Sequence, residues 1–249
     1  MPASTLLPEP PDTGTSPVLD LVAFPCAGSG SAALRGWRRL LPADWRFTPV
    51  CLPGREAGYG QPFAEDMERL ADEIAAGLLA RRATGPALPL VLFGHSMGGL
   101  IAQLVAHRVP ARALFVAACP PPASRTPAED DEVPPDHEEL RREVAGVLRA
   151  SAPDDAALLD ELADLTAPIL AADIGLLATY RAPEGPLDCD IWALYGDGDT
   201  VGALPWTAET TGTAHCRVLP GSHFFVQESP GAVVAELVRG LTPVSGGSA

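Results

Sequence analysis

The chain has 249 residues, 47% of them hydrophobic, and a formal net charge of −15. That length suits one α/β domain with a single insertion, and the charge argues against nucleic acid or an anionic membrane as a partner. No apolar run reaches the ~20 residues needed to span a bilayer.

Residues 1–17 contain no basic residue and no long apolar stretch. This is not the build of a secretory signal, and a disordered lead-in is expected there. The domain itself is set at 18–243, with 244–249 as a frayed tail. Residues 18–24 read as a strand ending at Pro25-Cys26-Ala27-Gly28. Residues 47–52 read as a second, ending at Pro53-Gly54-Arg55-Glu56. Phe63, Met67, Leu70, Ile74 and Leu78 then recur at helical spacing.

A third strand over 90–93 runs into Gly94-His95-Ser96-Met97-Gly98, followed by the helical pattern Leu100, Ile101, Leu104, Val105. Strand, glycine-flanked serine and helix form the context of a nucleophile elbow. The turn is too tight for side chains two positions either side of the serine, and glycine at both supplies the space. Ser96 is therefore the candidate nucleophile. The competing reading is a surface turn whose serine only caps the helix.

A fourth strand is expected over 113–118. The strand rhythm then breaks between 124 and 186, where three amphipathic helices are expected: Leu140, Val144, Val147 and Leu148; Leu158, Leu159, Leu162 and Leu165; and Ile169, Ile174, Leu177 and Tyr180. Roughly 60 residues greatly exceed an ordinary crossover, so this block reads as a helical lid. Strands resume over 191–195 and 215–219. The alternation implies a mainly parallel, doubly wound sheet.

Two acid candidates, Asp197 and Asp199, follow the fifth of these strands, and His223 follows the sixth. All sit just past strand carboxyl ends, where open α/β sheets place ligands, in the order serine, acid, histidine. A serine hydroxyl needs a base to take its proton. Histidine titrates near neutrality and can take the proton and return it, while a carboxylate fixes its tautomer and stabilises the imidazolium. Of five histidines only His223 combines loop placement, a nearby glycine and the required order; His95 reads as packing or a local hydrogen bond. Composition leaves Asp197 and Asp199 open.

The cysteines, Cys26, Cys51, Cys119, Cys189 and Cys216, form no C-x-x-C pair, and no histidine cluster completes a zinc site. A reduced, cytoplasmic protein without bound metal is expected. No phosphate-binding glycine loop is present, so no cofactor is expected either.

Several strings together resemble the stand-alone (type II) thioesterases of polyketide and nonribosomal peptide assembly lines, a family of α/β-hydrolase fold. They are Phe24-Pro25 with Ala27-Gly28, Arg35 with Trp37, Leu52-Pro53-Gly54-Arg55-Glu56, Gly94-His95-Ser96-Met97-Gly98-Gly99, Asp173 with Tyr180-Arg181, Gly196 with Asp199, and Gly221 with His223-Phe224-Phe225. The resemblance implies Ser96 as nucleophile, His223 as base and Asp199 as acid, because the family's acid closes a G-x-x-D string. It also implies the backbone N–H groups of Ala27 and Met97 as oxyanion hole, in line with the fold's general rule. The implied reaction is hydrolysis of acyl thioesters from the phosphopantetheine arm of acyl or peptidyl carrier proteins, clearing aberrant or short acyl groups. A monomer is expected, docking its carrier through Arg35, Arg38, Arg39 or Arg55, or through an apolar contact of the lid. The competing functions are a general serine esterase or lipase on small esters, a product-releasing thioesterase, and a non-catalytic carrier-protein-binding module.

Overall fold

The computed structural model describes residues 3–9, 14–124 and 156–242. Six strands, β1 (Leu19–Phe24), β2 (Trp45–Pro49), β3 (Leu90–His95), β4 (Ala113–Ala117), β5 (Asp190–Gly196) and β6 (Ala214–Leu219), form one sheet in the order β2-β1-β3-β4-β5-β6. Every pairing is parallel. β1, β3 and β4 are buried along their whole length. That explains why β4 and residues 90–93 of β3 read as unbroken apolar runs rather than alternating ones; β1 carries the buried Asp20, paired with Arg46.

Helices cover both faces. α1 (Met67–Thr84) and α2 (Met97–Ala106) pack on one face with Ile74, Leu78, Ile101 and Leu104 in the core. The 3₁₀ helix Ser31–Arg39 covers the other face through Leu34 and Trp37. It is joined there, after the short α4 (Phe225–Glu228), by α5 (Pro230–Leu241) through Val233 and Leu237. This is the doubly wound sheet that the alternation implied. Among the described residues no helix is long and apolar enough to cross a membrane.

Four expectations change. The lead-in expected to be disordered over 1–17 instead forms a turn of helix at Ala3–Leu6, and Leu6 and Leu7 enter the core. The Cys51 amide donates to the Leu6 carbonyl at 3.0 Å, so apolar burial and a backbone bond hold a segment whose prolines argued for disorder. Phe63 precedes α1 rather than joining its stripe. The helix starts at the Asp66 cap, whose side chain accepts from Arg69 N at 2.9 Å. The second and third lid helices are one continuous helix, α3 (Ala156–Leu177), with Pro168 inside it. Pro168 costs that helix one hydrogen bond to the turn before it. Tyr180, assigned to that third helix, lies beyond its end, where its hydroxyl donates to Gln103 Oε1 at 2.9 Å. The first expected lid helix, around Leu140–Leu148, and the tail at 244–249 lie outside the described residues.

The register aligns the carboxyl ends of the strands. Phe24 pairs with Gly94, His95 with Ala117, Ala117 with Leu194, and Gly196 with Leu219. The loops carrying Ala27, Ser96, Asp199 and His223 therefore leave the sheet at one edge.

Candidate active site

Ser96 occupies the turn between β3 and α2 with φ 52° and ψ −120°, strained for a residue bearing a Cβ. The turn is compressed at its two glycines. A Cβ on Gly94 would lie 2.1 Å from the Gly98 carbonyl oxygen, and a Cβ on Gly98 would lie 2.4 Å from that of Phe24. The second contact has a further consequence: it seats the first turn of α2 on the end of β1, next to the loop that contains Ala27. The Met97 amide belongs to that first turn and has no intrahelical acceptor. It shares the positive end of the helix dipole.

On the opposite loop, His223 Nδ1 lies 3.1 Å from Asp199 Oδ1. An ionised carboxylate only accepts, so Nδ1 carries the proton and Nε2 is the basic nitrogen. The Asp199 side chain is fully buried, while that of His223 is 32% exposed and open to a reactant. Asp199 Oδ1 also accepts from Val201 N at 3.1 Å. Its Oδ2 is buried without a partner among the described residues, so a protonated His223 would supply much of this carboxylate's stabilisation.

Asp197, the other candidate, is exposed. Its Oδ1 accepts from Gly221 N at 2.9 Å and staples the histidine loop. Glu228 reinforces the same loop by accepting from Ser222 N at 3.0 Å and Ser222 Oγ at 2.5 Å.

His95 has a larger part than packing. Its Nε2 lies 2.8 Å from the His223 carbonyl oxygen. Burial, opposed only in part by that hydrogen bond and by Asp199, pushes its pKa down to about 4. The ring is therefore neutral at pH 7, with Nε2–H donating to the carbonyl and Nδ1 accepting from Gln227 Nε2 at 3.4 Å. Gln227 Nε2 also lies 3.8 Å from Cys26 Sγ. The residues next to Ser96 and to Ala27 are thus linked beneath the site and reach the backbone of His223. Burial raises the Cys26 thiol above its ordinary value, outweighing hydrogen bonds from Ser29 and Gln227, so it is a poor nucleophile.

The depressed pKa of His95 makes stability acid-sensitive. Unfolded histidine titrates near 6.5, so between about pH 6.5 and 4 the unfolded chain binds a proton that the folded chain refuses. Stability is expected to fall across that window as pH drops, by about 3 kcal/mol once pH 4 is passed. Urea midpoints of wild type and His95→Gln, measured from pH 7 down to 4.5, check this. Equal pH slopes in the two proteins would remove His95 as the cause.

The third group was not legible as a group in the sequence. Arg55, expected on a carrier-docking patch, is buried and paired with Asp173 of α3, 118 positions away. Arg55 Nη1 lies 2.7 Å from Asp173 Oδ2, and Nη2 lies 2.6 Å from Oδ1. Asp173 Oδ2 also accepts from Gly28 N at 2.8 Å, and Arg55 Nη1 donates to the Ser29 carbonyl at 2.8 Å. Glu56 accepts from Ser31 N at 3.0 Å, Ala32 N at 2.7 Å and the Ser31 hydroxyl. Burial works against the charge of Glu56, yet these bonds outweigh it and hold the carboxyl below its usual value. Leu170 of α3 lies over Gly28, within 3.3 Å of where a Cβ would stand. Of the other docking candidates, Arg38 is committed to the Trp45 and Ala43 carbonyls, and Arg35 and Arg39 are exposed.

Comparison with known proteins identifies the family. The model of the thioesterase domain family matches residues 20–240. Thioesterase TesA of Mycobacterium leprae is 31% identical over 237 residues, covering 91% of this chain and 87% of that protein. The RedJ thioesterase of the prodiginine pathway of Streptomyces coelicolor superposes with a TM-score of 0.76 at 34% identity, over 94% of this chain and 90% of that one. The type II thioesterase BorB from the borrelidin biosynthetic cluster gives a TM-score of 0.77 at 28% identity, over 96% and 98%. A family match spanning the whole sheet, joined by type II enzymes similar over nearly the whole length, makes this chain a thioester hydrolase of the type II thioesterase family.

Proposed function

We propose that the protein hydrolyses acyl thioesters on the phosphopantetheine arm of carrier proteins, through a Ser96–His223–Asp199 triad and an acyl-enzyme. The observation that carries this reading is the 3.1 Å contact of His223 Nδ1 with the buried Asp199, at the sheet edge from which the strained Ser96 projects. His223 Nε2 takes the Ser96 proton as the serine oxygen attacks the acyl carbonyl. The carbonyl oxygen gains a negative charge, received by the Ala27 and Met97 amides. Collapse breaks the carbon–sulfur bond, and His223 returns its proton to the departing thiolate. A water then attacks the Ser96 ester with His223 again as base, releasing the carboxylic acid and restoring the serine. The biological role is removal of short or aberrant acyl groups that stall an assembly line.

The carrier is met by the exposed Arg35 and Arg39 rather than by Arg55. Charge reversal at both should raise KM for a carrier-bound substrate and leave a small soluble thioester unaffected; an unchanged carrier KM would rule that surface out.

The test of the function is the intact mass of a propionyl-loaded carrier protein incubated with wild type and with Ser96→Ala. Loss of the acyl mass with wild type alone is expected. Persistence of the acyl group with both proteins, while wild type cleaves a simple aryl ester, would replace this reading with a general esterase.

A further inference from the structure

The loop that holds Ala27 is clamped at three peptide groups, 26–27, 27–28 and 29–30. In a trans peptide the C=O and the following N–H share a plane and point in opposite directions. The Cys26 carbonyl is engaged by Ser29 N at 3.2 Å and Ser29 Oγ at 2.9 Å. The Ala27 N–H of the same plane is therefore turned the other way. The next N–H, at Gly28, donates to Asp173 Oδ2 at 2.8 Å, with Gly28 at φ +73°. The Ser29 carbonyl accepts from Arg55 Nη1 at 2.8 Å.

The clamp is itself held in place. Beyond the end of α3, Thr179 Oγ1 accepts from Met67 N at 3.0 Å and Tyr180 is bonded to Gln103. Beside Arg55, Glu56 grips Ser31 and Ala32 just beyond the loop. A buried ion pair offers little stability that an apolar pair of the same volume would not. Here, however, both partners also aim a hydrogen bond at the backbone flanking Gly28, which no apolar pair does.

We infer that Arg55 and Asp173 are positioning residues that orient the Ala27 amide toward the developing oxyanion, so that helix α3 and the oxyanion hole are set together. This rests on the proposed roles of Ser96 and Ala27. Neither Arg55 nor Asp173 takes part in bond making; each acts through the backbone of residues 27–29.

Arg55→Lys keeps the charge and loses the two-pronged geometry. Asp173→Asn keeps the shape and loses the charge. With the propionyl thioester of N-acetylcysteamine, which needs no carrier docking, both variants should show kcat lowered by about 10²-fold, the size of a lost oxyanion donor. KM should stay close to wild type. An alkyl boronic acid, whose tetrahedral adduct on Ser96 places an oxygen in the same hole, should bind more weakly by a similar factor. The pH midpoint of kcat/KM should not move.

Retained kcat with a raised KM, or a reduced kcat with full boronate affinity, would show that the pair only holds the helix. Should either variant fail to fold, Ser29→Ala removes the hydroxyl's bond to the Cys26 carbonyl together with its contact to the Cys26 thiol. It should show the same paired loss of kcat and boronate affinity at smaller size, and wild-type values in both would overturn the inference. Continued hydrolysis by Ser96→Ala would instead sink the serine mechanism on which it rests. Inactive Ser96→Ala beside unaffected Arg55→Lys and Asp173→Asn would sink this inference alone.

Discussion

Changing Asp199 to asparagine is expected to lower kcat for thioester hydrolysis by about 10⁴-fold, with little change in KM. The amide that replaces Asp199 would bond His223 Nδ1 through either its oxygen or its NH₂. Donation from the NH₂ would turn the imidazole into the tautomer with Nε2–H, which cannot accept the serine proton. The stabilisation that a buried carboxylate lends the imidazolium would be lost as well. Asp197→Asn, two positions earlier, serves as the internal control. Asp197 is exposed and, among the described residues, its side chain holds only Gly221 N, so its variant should lose a few-fold at most, an effect of about 1 kcal/mol on the loop. Single-turnover rates on a soluble thioester measure both. Equal losses in the two variants would mean that the histidine loop, rather than the acid, limits the reaction.

The second large effect is on stability. Arg55→Ala leaves the Asp173 carboxylate in the interior with Gly28 N as its remaining donor among the described residues, and takes away the Arg55 bond to the Ser29 carbonyl. Removing one partner of a buried ion pair costs about 3–5 kcal/mol. For a domain of this size that corresponds to a drop in Tm of about 10 °C or more. Adding Asp173→Asn to Arg55→Ala removes the uncompensated charge. The double variant should then unfold at higher temperature than the sum of the two single losses predicts. Thermal unfolding of the four proteins closes the cycle, and strict additivity would show that the pair contributes no coupling. These losses are separable from the catalytic ones, because they concern the whole fold and appear without substrate.

The fold and the placement of Ser96 and His223 were legible in the sequence because both are written locally. Buried parallel strands appear as short apolar runs, and the elbow's glycines are required by its own turn. The order serine, acid, histidine follows from the order of the strands. The acid needed more than spacing. Asp197 and Asp199 lie on the same short loop, and only the fold of that loop aims Asp199 at His223 and Asp197 at Gly221. The resemblance pointed to Asp199, and the structure puts the same residue against the imidazole.

Other features were hidden because their partners are far apart in the chain. Nothing in the composition near residues 3–9 shows that Leu6 and Leu7 find apolar partners in the core. The apolar stripes on both sides of Pro168 suited two helices, and tertiary packing carries one helix through the proline at the cost of a hydrogen bond. His95 looked like a residue of the elbow turn, yet it spans 128 positions to hold the backbone of His223.

The sequence by itself determined the α/β architecture and the placement of Ser96 and His223 just past strand ends, because each is enforced by neighbours within one strand, turn or helix. Only the tertiary structure decided which aspartate meets the histidine, and that Arg55 is buried against Asp173 rather than offered to a partner. Ion pairs and side-chain hydrogen bonds depend on distances of about 3 Å between groups. Residues 55 and 173, 118 positions apart, reach that distance only in the folded chain.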